Sequence, residues 1–243
     1  MHPVAPAAPS RQAPSIAYLA WCLLVPLLAV FLIDLTGIDL AVAHWYGNSA
    51  GFAWKDHALL TQVFHVGIRR VCVFIALYCI LAIWLPLGPW RKLTRQDRVW
   101  LACNIWLCAI VVAAVKSASQ TSCPWDLAEF GDKAQYVWHF SSQLKWQVGI
   151  SVDGGPGKCF PSGHASSFFS FLPLVWVVHR YNTRPAWQTL AALCAFGLTM
   201  AWVQVMRGAH YPSHLLWTMW LCWALGTITS PWLQPRPTVS TTA

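Results

Sequence analysis

The sequence predicts an all-α polytopic membrane bundle with about six transmembrane helices. A chain of 243 residues that is 57% apolar and only 10% charged is typical of an integral membrane protein. Apolar runs also recur along it: Ser15–Ile33, Val71–Gly88, Val99–Val115, Ala165–Val178, Ala186–Met206 and Leu215–Ser230. About 17 to 20 apolar residues cross a bilayer, so four runs are long enough. The fourth and sixth runs are short and need the semi-polar residues before them, His164 and Tyr211–His214.

The first apolar run is predicted to be a retained anchor, because it is longer than a typical signal-peptide core and lacks a clear cleavage site. The membrane domain is expected to span residues 15–230. The flanking tails, 1–14 and 231–243, are rich in proline and small residues, which predicts disorder. Two long connections, Thr36–Arg70 and Ser117–Lys158, are rich in aromatic residues and are expected to form helical segments near the membrane surface.

Positive charge in the short connections predicts the orientation of the bundle. The segments GPWRKLTRQDR and HRYNTRP contain Arg91, Lys92, Arg95, Arg98, Arg180 and Arg184. Short basic connections stay in the cytoplasm, so we expect cytoplasmic termini and, in a bacterial inner membrane, long loops in the periplasm. This topology and a phosphorylated substrate account for the net charge of +8, with no nucleic acid required.

Polar residues cluster at the outer ends of the predicted spans. The three clusters are VKSASQTSCPWDL, KCFPSGHAS and QVMRGAHYPSHLLW. Polar and ionisable groups at such positions are costly unless they have a function or a partner. Their convergence on one side of the membrane predicts a single site assembled from distant segments.

The second cluster is typical of an anion-binding helix start. Pro161 restricts the entry, Ser162 can cap the helix, and Gly163 lets a ligand approach the backbone. Free N–H groups and the helix dipole attract an anion there. Lys158 adds positive charge, and His164 is placed to transfer a proton. Taken alone, the same stretch is equally compatible with an ordinary capped helix.

The other two clusters add a candidate nucleophile and more positive charge. His210 lies at another helix start, and Arg207 is within reach of it if the preceding span continues as a helix. A histidine beside an anion site is placed for nucleophilic attack, provided that another group holds its tautomer. Lys116 ends the third span, either as a snorkelling lysine or as part of the site. Beside the other clusters, we favour the site.

The nine cysteines divide by location. Seven fall in or beside predicted spans, where a thiol is usually a small buried apolar group. Cys123 and Cys159 alone lie in the outer loops. If those loops face an oxidising compartment, these two residues are the candidate disulfide pair.

The three clusters together resemble the motifs of the type 2 phosphatidic acid phosphatases and their haloperoxidase relatives. That family has Lys, six residues and Arg-Pro, then Pro-Ser-Gly-His, then Ser-Arg, five residues, His, three residues and Asp. The matching positions here are Lys116 before Cys123-Pro124, the complete Pro161–His164, and Val203-Gln204 before His210 and His214. The resemblance covers almost the whole membrane domain, and the chain looks like a divergent bacterial member.

The resemblance implies that phosphate is removed from a membrane lipid phosphate through a phosphohistidine, without a metal or other cofactor. His210 would be the nucleophile. His164 would protonate the leaving oxygen and later act as base toward water. Lys116, the Ser162 hydroxyl and the Gly163 N–H would hold the phosphate oxygens.

The chain departs from the family where two arginines are expected. Cys123 and Gln204 occupy those positions, and neither replaces a bidentate guanidinium in kind. We expect Arg207 and Lys158 to supply the lost charge from neighbouring positions.

A third departure concerns the group that orients the nucleophile. His214 stands where the family has an aspartate, and a neutral imidazole stabilises a cation on His210 less than a carboxylate does. Asp126, in the first cluster, is a candidate replacement. It is equally compatible with a role as a loop cap.

Other classes of function stay open at this point. His164, His210 and His214 would serve a metal-dependent hydrolase if they formed a three-histidine metal site. A second alternative is a phosphotransferase, in which the phosphohistidine passes its phosphoryl group to an acceptor lipid. A third is a non-catalytic protein that binds lipid phosphates at the anion site without turnover. The motifs select neither among lipid phosphates and diphosphates nor an oligomeric state.

Overall fold

The protein is an all-α membrane bundle in the computed structural model, which describes residues 14–138, 140 and 153–233. The predicted tails, 1–14 and 231–243, lie almost entirely outside these residues. The helices, in chain order, are α1 (Ile16–Asp34), α2 (Ile38–Tyr46), α3 (Ile68–Leu81), α4 (Arg95–Ala118), α5 (Gly163–Phe169), α6 (Leu174–His179), α7 (Thr183–Met206) and α8 (Pro212–Thr229).

Short elements fill the connections between these helices. A π-helical segment, Leu59–Gly67, runs directly into α3. Two strands, β1 (Gly47–Asn48) and β2 (Gly51–Phe52), form a small antiparallel hairpin in the first outer connection. The 3-10 turns are Gly88–Lys92, Pro124–Asp126, Ala128–Phe130 and Ser230–Trp232. Helix α2 agrees with the helical segment expected in that connection.

Four helices within the described residues are long and apolar enough to cross a membrane: Ile16–Asp34, Leu59–Leu81, Arg95–Ala118 and Thr183–Met206. Each carries exposed apolar side chains, among them Trp21, Phe74, Ile110 and Phe196. The second of these helices begins at Leu59, whereas the apolar run predicted Val71. The polar residues just before that run are helical, so they belong to the membrane helix and not to the outer connection.

The fourth and sixth predicted spans lie inside the bundle. The fourth is divided into α5 and α6 by a turn at residues 170–173. The sixth is α8, most of whose residues are buried, and it packs against α1, α4, α5 and α7. A helix surrounded by other helices does not need a fully apolar surface, because its polar side chains find partners within the protein. This placement explains why both runs are short of apolar residues.

Asp97 joins two helices at the end of the bundle opposite the polar clusters. It completes a capping box with Thr94 at the start of α4. Its carboxylate is fully buried, pairs with Arg180 and accepts a hydrogen bond of 2.8 Å from the Tyr181 hydroxyl. A buried carboxylate requires partners of this kind, and together they fix the start of α4 against the end of α6.

Candidate active site

A cavity of about 620 Å³ brings the three polar clusters together at one end of the bundle. Its walls come from α3 and the segment before it, the second half of α4 and the loop that follows, α5, and the end of α7 with the turn after it. The predicted site residues that line it are Lys116, Gly163, His164, Arg207 and His210, together with the departure positions Cys123 and Gln204. The three polar clusters therefore meet at one cavity, as the sequence predicts.

Local backbone geometry presents His210 to this cavity. Helix α7 ends at Met206, and Gly208 follows two residues later with a φ of +74°, in the left-handed region. The N–H groups of Ala209 and His210 both donate to the Gln204 carbonyl, at 2.8 and 3.3 Å. A Cβ on Gly208 would lie 2.5 Å from the Phe52 ring. Glycine is therefore required here for two independent reasons, backbone conformation and space.

The His210 ring is buried and is held on its Nδ1 side. Its Nδ1 lies 3.4 Å from Nδ1 of His214 and 3.5 Å from Sγ of Cys159. One of the two histidine nitrogens must donate while the other accepts. Its Nε2 has no hydrogen-bond partner among the described residues. If Nδ1 of His210 carries the proton, Nε2 presents a lone pair for attack.

The electrostatic surroundings keep His210 neutral. Burial lowers the pKa of His210 well below its ordinary value, and the positive charge of Lys116 lowers it further. His164 and His65 act in the same direction, while the backbone of Cys159 opposes them. A buried imidazole beside a cation resists protonation, so His210 keeps its lone pair at neutral pH.

Cys123 and Cys159 form a disulfide bond next to His210. The bond joins the first cluster to the second across 36 positions of sequence. The first cluster is also tied to the third, because the Trp125 N–H donates to the Gly208 carbonyl at 3.0 Å. All three clusters are therefore connected by specific bonds as well as by packing.

Lys116 reaches the site across the start of α5. Its ammonium group donates to the Cys159 carbonyl at 3.4 Å. A Cβ at Gly163 would lie 3.2 Å from Cδ of Lys116, so glycine leaves room for the lysine to pass. Ser162 caps α5 by accepting the Ala165 N–H at 3.2 Å, and its fully buried side chain does not line the cavity. The first N–H groups of α5 have no helical carbonyl to bond.

Gln204 and Arg207 form a coupled pair at the cavity wall. Nη1 of Arg207 donates to Oε1 of Gln204 at 3.1 Å, and its Nε donates to the Lys55 carbonyl at 2.9 Å. Since a guanidinium only donates, the amide oxygen must face Arg207 and the amide nitrogen must face away. That nitrogen is buried without a hydrogen-bond partner among the described residues. Gln204 therefore offers an unused donor to an anion.

Asp126 and Lys158 lie elsewhere than the sequence suggested. The Asp126 carboxylate accepts the Cys123 N–H at 2.9 Å and makes no hydrogen bond with His210 in the described structure. Burial raises the pKa of Asp126, and the Cys123 N–H opposes that shift. Lys158 is exposed and does not line the cavity. His214, and not Asp126, is the residue whose ring nitrogen lies beside Nδ1 of His210, and Arg207 alone of the two expected cations lines the cavity.

Comparison at the family level decides the classification. The family model described as the PAP2 superfamily matches residues 97–237, a region that contains all three motifs. The chain belongs to the PAP2 superfamily. Membership indicates a phosphatase acting on phosphoric esters and confirms the resemblance seen in the motifs. No curated protein and no solved structure gives a significant match.

His164, His210 and His214 do not form a three-histidine metal site in the part of this PAP2 protein that the structure describes. Among the His, Cys, Asp and Glu side chains of residues 14–138, 140 and 153–233, the group whose donor atoms lie within 4.8 Å of one another is Cys123, Cys159 and His210. Neither His164 nor His214 is part of that group. The two sulfurs are bonded to each other, so they are not thiolates.

Two residues of this PAP2 site were missed by the sequence reading. His65 and Arg69 line the cavity from the helix that precedes and includes α3. The His65 ring centroid lies 4.5 Å from that of His164. The available signal was their spacing, since His65, Arg69, Cys72 and Ala76 recur on one helical face. Starting the second span at Val71 had placed the first two in a loop.

Proposed function

We propose that this PAP2 protein removes phosphate from a membrane lipid phosphate or diphosphate by a metal-free phosphohistidine mechanism. One observation carries the proposal: a single cavity is cationic at one end and apolar along its side. The cationic end holds His210, His164, Lys116 and Arg207. The apolar side is lined by Val73, Ala76, Ile105, Trp106, Ala109 and Ala113, from α3 and α4. A phosphate with a hydrocarbon chain matches both halves.

The first chemical step is transfer of the phosphoryl group to His210. Its Nε2 lone pair attacks phosphorus, a P–N bond forms, and the P–O bond to the lipid breaks. His164, protonated once the phosphate dianion lies beside it, donates that proton to the leaving oxygen and becomes neutral. Both ring nitrogens of His164 are buried without a hydrogen-bond partner among the described residues, so either is available to a substrate.

The second step is hydrolysis of the phosphohistidine. Water attacks phosphorus, His164 takes the water's proton, and the P–N bond breaks to release inorganic phosphate. Lys116, Arg207, the Gln204 amide and the first N–H groups of α5 surround the phosphate oxygens throughout. Donors fixed in advance around these oxygens stabilise the charge of the transition state.

His214 holds the reactive tautomer of His210. If Nδ1 of His210 donates to Nδ1 of His214, the attacking Nε2 is left unprotonated. His214 is itself buried and belongs to the first turn of α8. An imidazole thus takes the place of the carboxylate that the family pattern has at this position.

The site is assigned to the periplasmic side of a bacterial inner membrane. Six of the basic residues lie at the opposite end of the helices, in the short connections before α4 and α7 or in the first turns of those two helices. That distribution favours a cytoplasmic location for those connections. The disulfide beside His210 supports an oxidising compartment for the active site.

The test is release of inorganic phosphate from a panel of lipid phosphates in detergent with excess chelator. Wild type and His210→Ala are compared, with a water-soluble phosphate monoester as control for the lipid chain. Chelator-resistant release from lipids that is lost in the variant is the expected result. Release that requires added zinc would replace this mechanism with metal-dependent hydrolysis. Bound lipid phosphate without release, or transfer to an added lipid acceptor, would point to a binder or a phosphotransferase.

A further inference from the structure

One face of the membrane helix Leu59–Leu81 lies along the active-site cavity. Its cavity-lining residues are His65, Arg69, Cys72, Val73 and Ala76, which follow the helical repeat of three or four residues. Arg70 is the neighbour of Arg69 in sequence but does not line the cavity. The helix therefore directs one arginine of this pair to the cavity.

Arg69 lies close to the catalytic residues. The His65 ring, one turn before it, is 4.5 Å from the His164 ring. The His164 ring is within the electrostatic range of both the Arg69 and the Arg207 guanidinium groups. In the described structure the Arg69 side chain makes no hydrogen bond and no ion pair. Its donors are thus available to a ligand in the cavity.

The site has fewer positively charged side chains than the family pattern. Cys123 and Gln204 replace two arginines, and Lys158 is outside the cavity. Arg207 directs Nη1 to Gln204 and Nε to the Lys55 carbonyl, which leaves only part of its fork for a phosphate. A bidentate guanidinium contact is missing, and Arg69 is the cavity-lining cation that has its whole fork unused.

We infer that Arg69 is a phosphate-binding residue of this enzyme and takes the place of an arginine lost from the family motifs. The residue acts from α3, whereas the motif arginines would act from the loop after α4 and from α7. The inference rests on the proposed function, because it assigns a role within that site. The Arg69 guanidinium would approach the phosphate from the side of the cavity where the apolar wall begins.

The test measures binding of inorganic phosphate and of orthovanadate to the purified full chain by calorimetry. Arg69→Gln is compared with Arg70→Gln, a matched control on the same helix, and with Arg69→Lys. We expect Arg69→Gln to weaken binding of both anions about tenfold, the size of one lost charge-assisted hydrogen bond. Arg70→Gln should bind like wild type, and Arg69→Lys should lie between wild type and Arg69→Gln.

Equal affinity of wild type and Arg69→Gln would overturn the inference. Equal losses of anion affinity in Arg69→Gln and Arg70→Gln would also overturn it, because they would reflect the overall positive charge of the helix and not a contact made by Arg69. Anion binding does not require turnover, so the result separates this inference from the proposed function. If no lipid phosphate is hydrolysed but Arg69→Gln still binds inorganic phosphate more weakly than wild type, only the proposed function fails. If hydrolysis proceeds and Arg69→Gln has normal kcat/KM and anion affinity, only the role of Arg69 fails.

Discussion

Nδ1 of His210 lies 3.4 Å from Nδ1 of His214 in a site where the family pattern pairs a histidine with a carboxylate. Two neutral imidazoles form a hydrogen bond in only one way at a time, with one ring as donor and the other as acceptor. The pair therefore fixes a tautomer without adding a negative charge. His210 then depends on its surroundings, and not on a nearby anion, for its protonation state.

Removing the imidazole at 214 should slow the chemical step. We expect His214→Ala to lower kcat on the order of 10²-fold, because the His210 ring loses its orienting partner. KM should change little, since His214 does not line the cavity. His214→Asp restores an acceptor and should stay within about tenfold of wild type. Kinetics on the best lipid phosphate, with His210→Ala as the inactive reference, check both; an unaffected kcat in His214→Ala would contradict the orienting role.

Asp126→Asn should have a small effect on activity. The carboxylate accepts the Cys123 N–H and caps the turn Pro124–Asp126, a role that the amide oxygen of asparagine can fill. We expect a change in kcat of about threefold or less and a loss of stability of about 1 kcal/mol or less. A loss of kcat comparable to that of His214→Ala would return the orienting role to Asp126.

Acid pH should destabilise the protein partly through His210. Its pKa is lowered on folding, so the unfolded chain binds a proton near the ordinary value of about 6.5 while the folded chain does not. Protonation below that pH therefore favours unfolding, whereas above it His210 is neutral in both states and its titration has no effect on stability. Thermal denaturation in detergent at pH 7 and pH 5 should show a larger drop in Tm for wild type than for His210→Gln. Equal drops would mean that His210 is not protonated differently in the two states.

The disulfide should stabilise the outer face of the bundle. In the chain-entropy description, a cross-link over 36 positions is worth about 4 kcal/mol. We expect Cys123→Ser with Cys159→Ser to lower Tm and to reduce kcat, since Cys159 lies against His210. The control is Cys103→Ser, an exposed free cysteine on α4. A Tm unchanged by the double substitution would show that packing alone holds these loops.

Gly208→Ala should damage both folding and activity. The residue has φ of +74°, and an added Cβ would lie 2.5 Å from Phe52. Strain of this kind costs on the order of 1–3 kcal/mol before the clash is counted. We expect a lower Tm and a displaced His210, seen as a loss of kcat. Gly154→Ala is the control, because it has a similar φ of +78° but open space around it; it should cost strain without loss of kcat.

The sequence was most informative about the elements whose physical cause is local. Apolar runs predicted the membrane helices, and the motif spacing brought His164 and His210 to one site. The predicted start of the second span was wrong. The apolar run begins only after the charged residues Arg69 and Arg70, whereas the helix itself continues through them toward the N-terminus. A polar residue inside a membrane helix is compatible with the bilayer only when it faces the protein interior or a cavity, and the sequence does not show where the cavity is.

The partners of the site residues could not be predicted from spacing. Lys158 and Arg207 both flank the motifs, but Lys158 follows Gly157 in a loop where both residues have positive φ and its side chain points to solvent. Asp126 and His214 were equal candidates for orienting His210. The choice depends on the direction of each side chain after folding, and that direction comes from tertiary packing.

The placement of α8 at the centre of the bundle has a consequence for biogenesis. A helix that begins Pro-Ser-His and contains several threonines partitions only weakly into lipid without other helices beside it. In the finished protein two of its polar groups bond to neighbouring segments: the Ser213 backbone N–H donates to Asp39, and the Thr218 hydroxyl donates to the Ser162 carbonyl. Helix α8 therefore needs the helices that precede it to be in the membrane already. Its insertion brings His214 to the side of His210 and so completes the histidine pair.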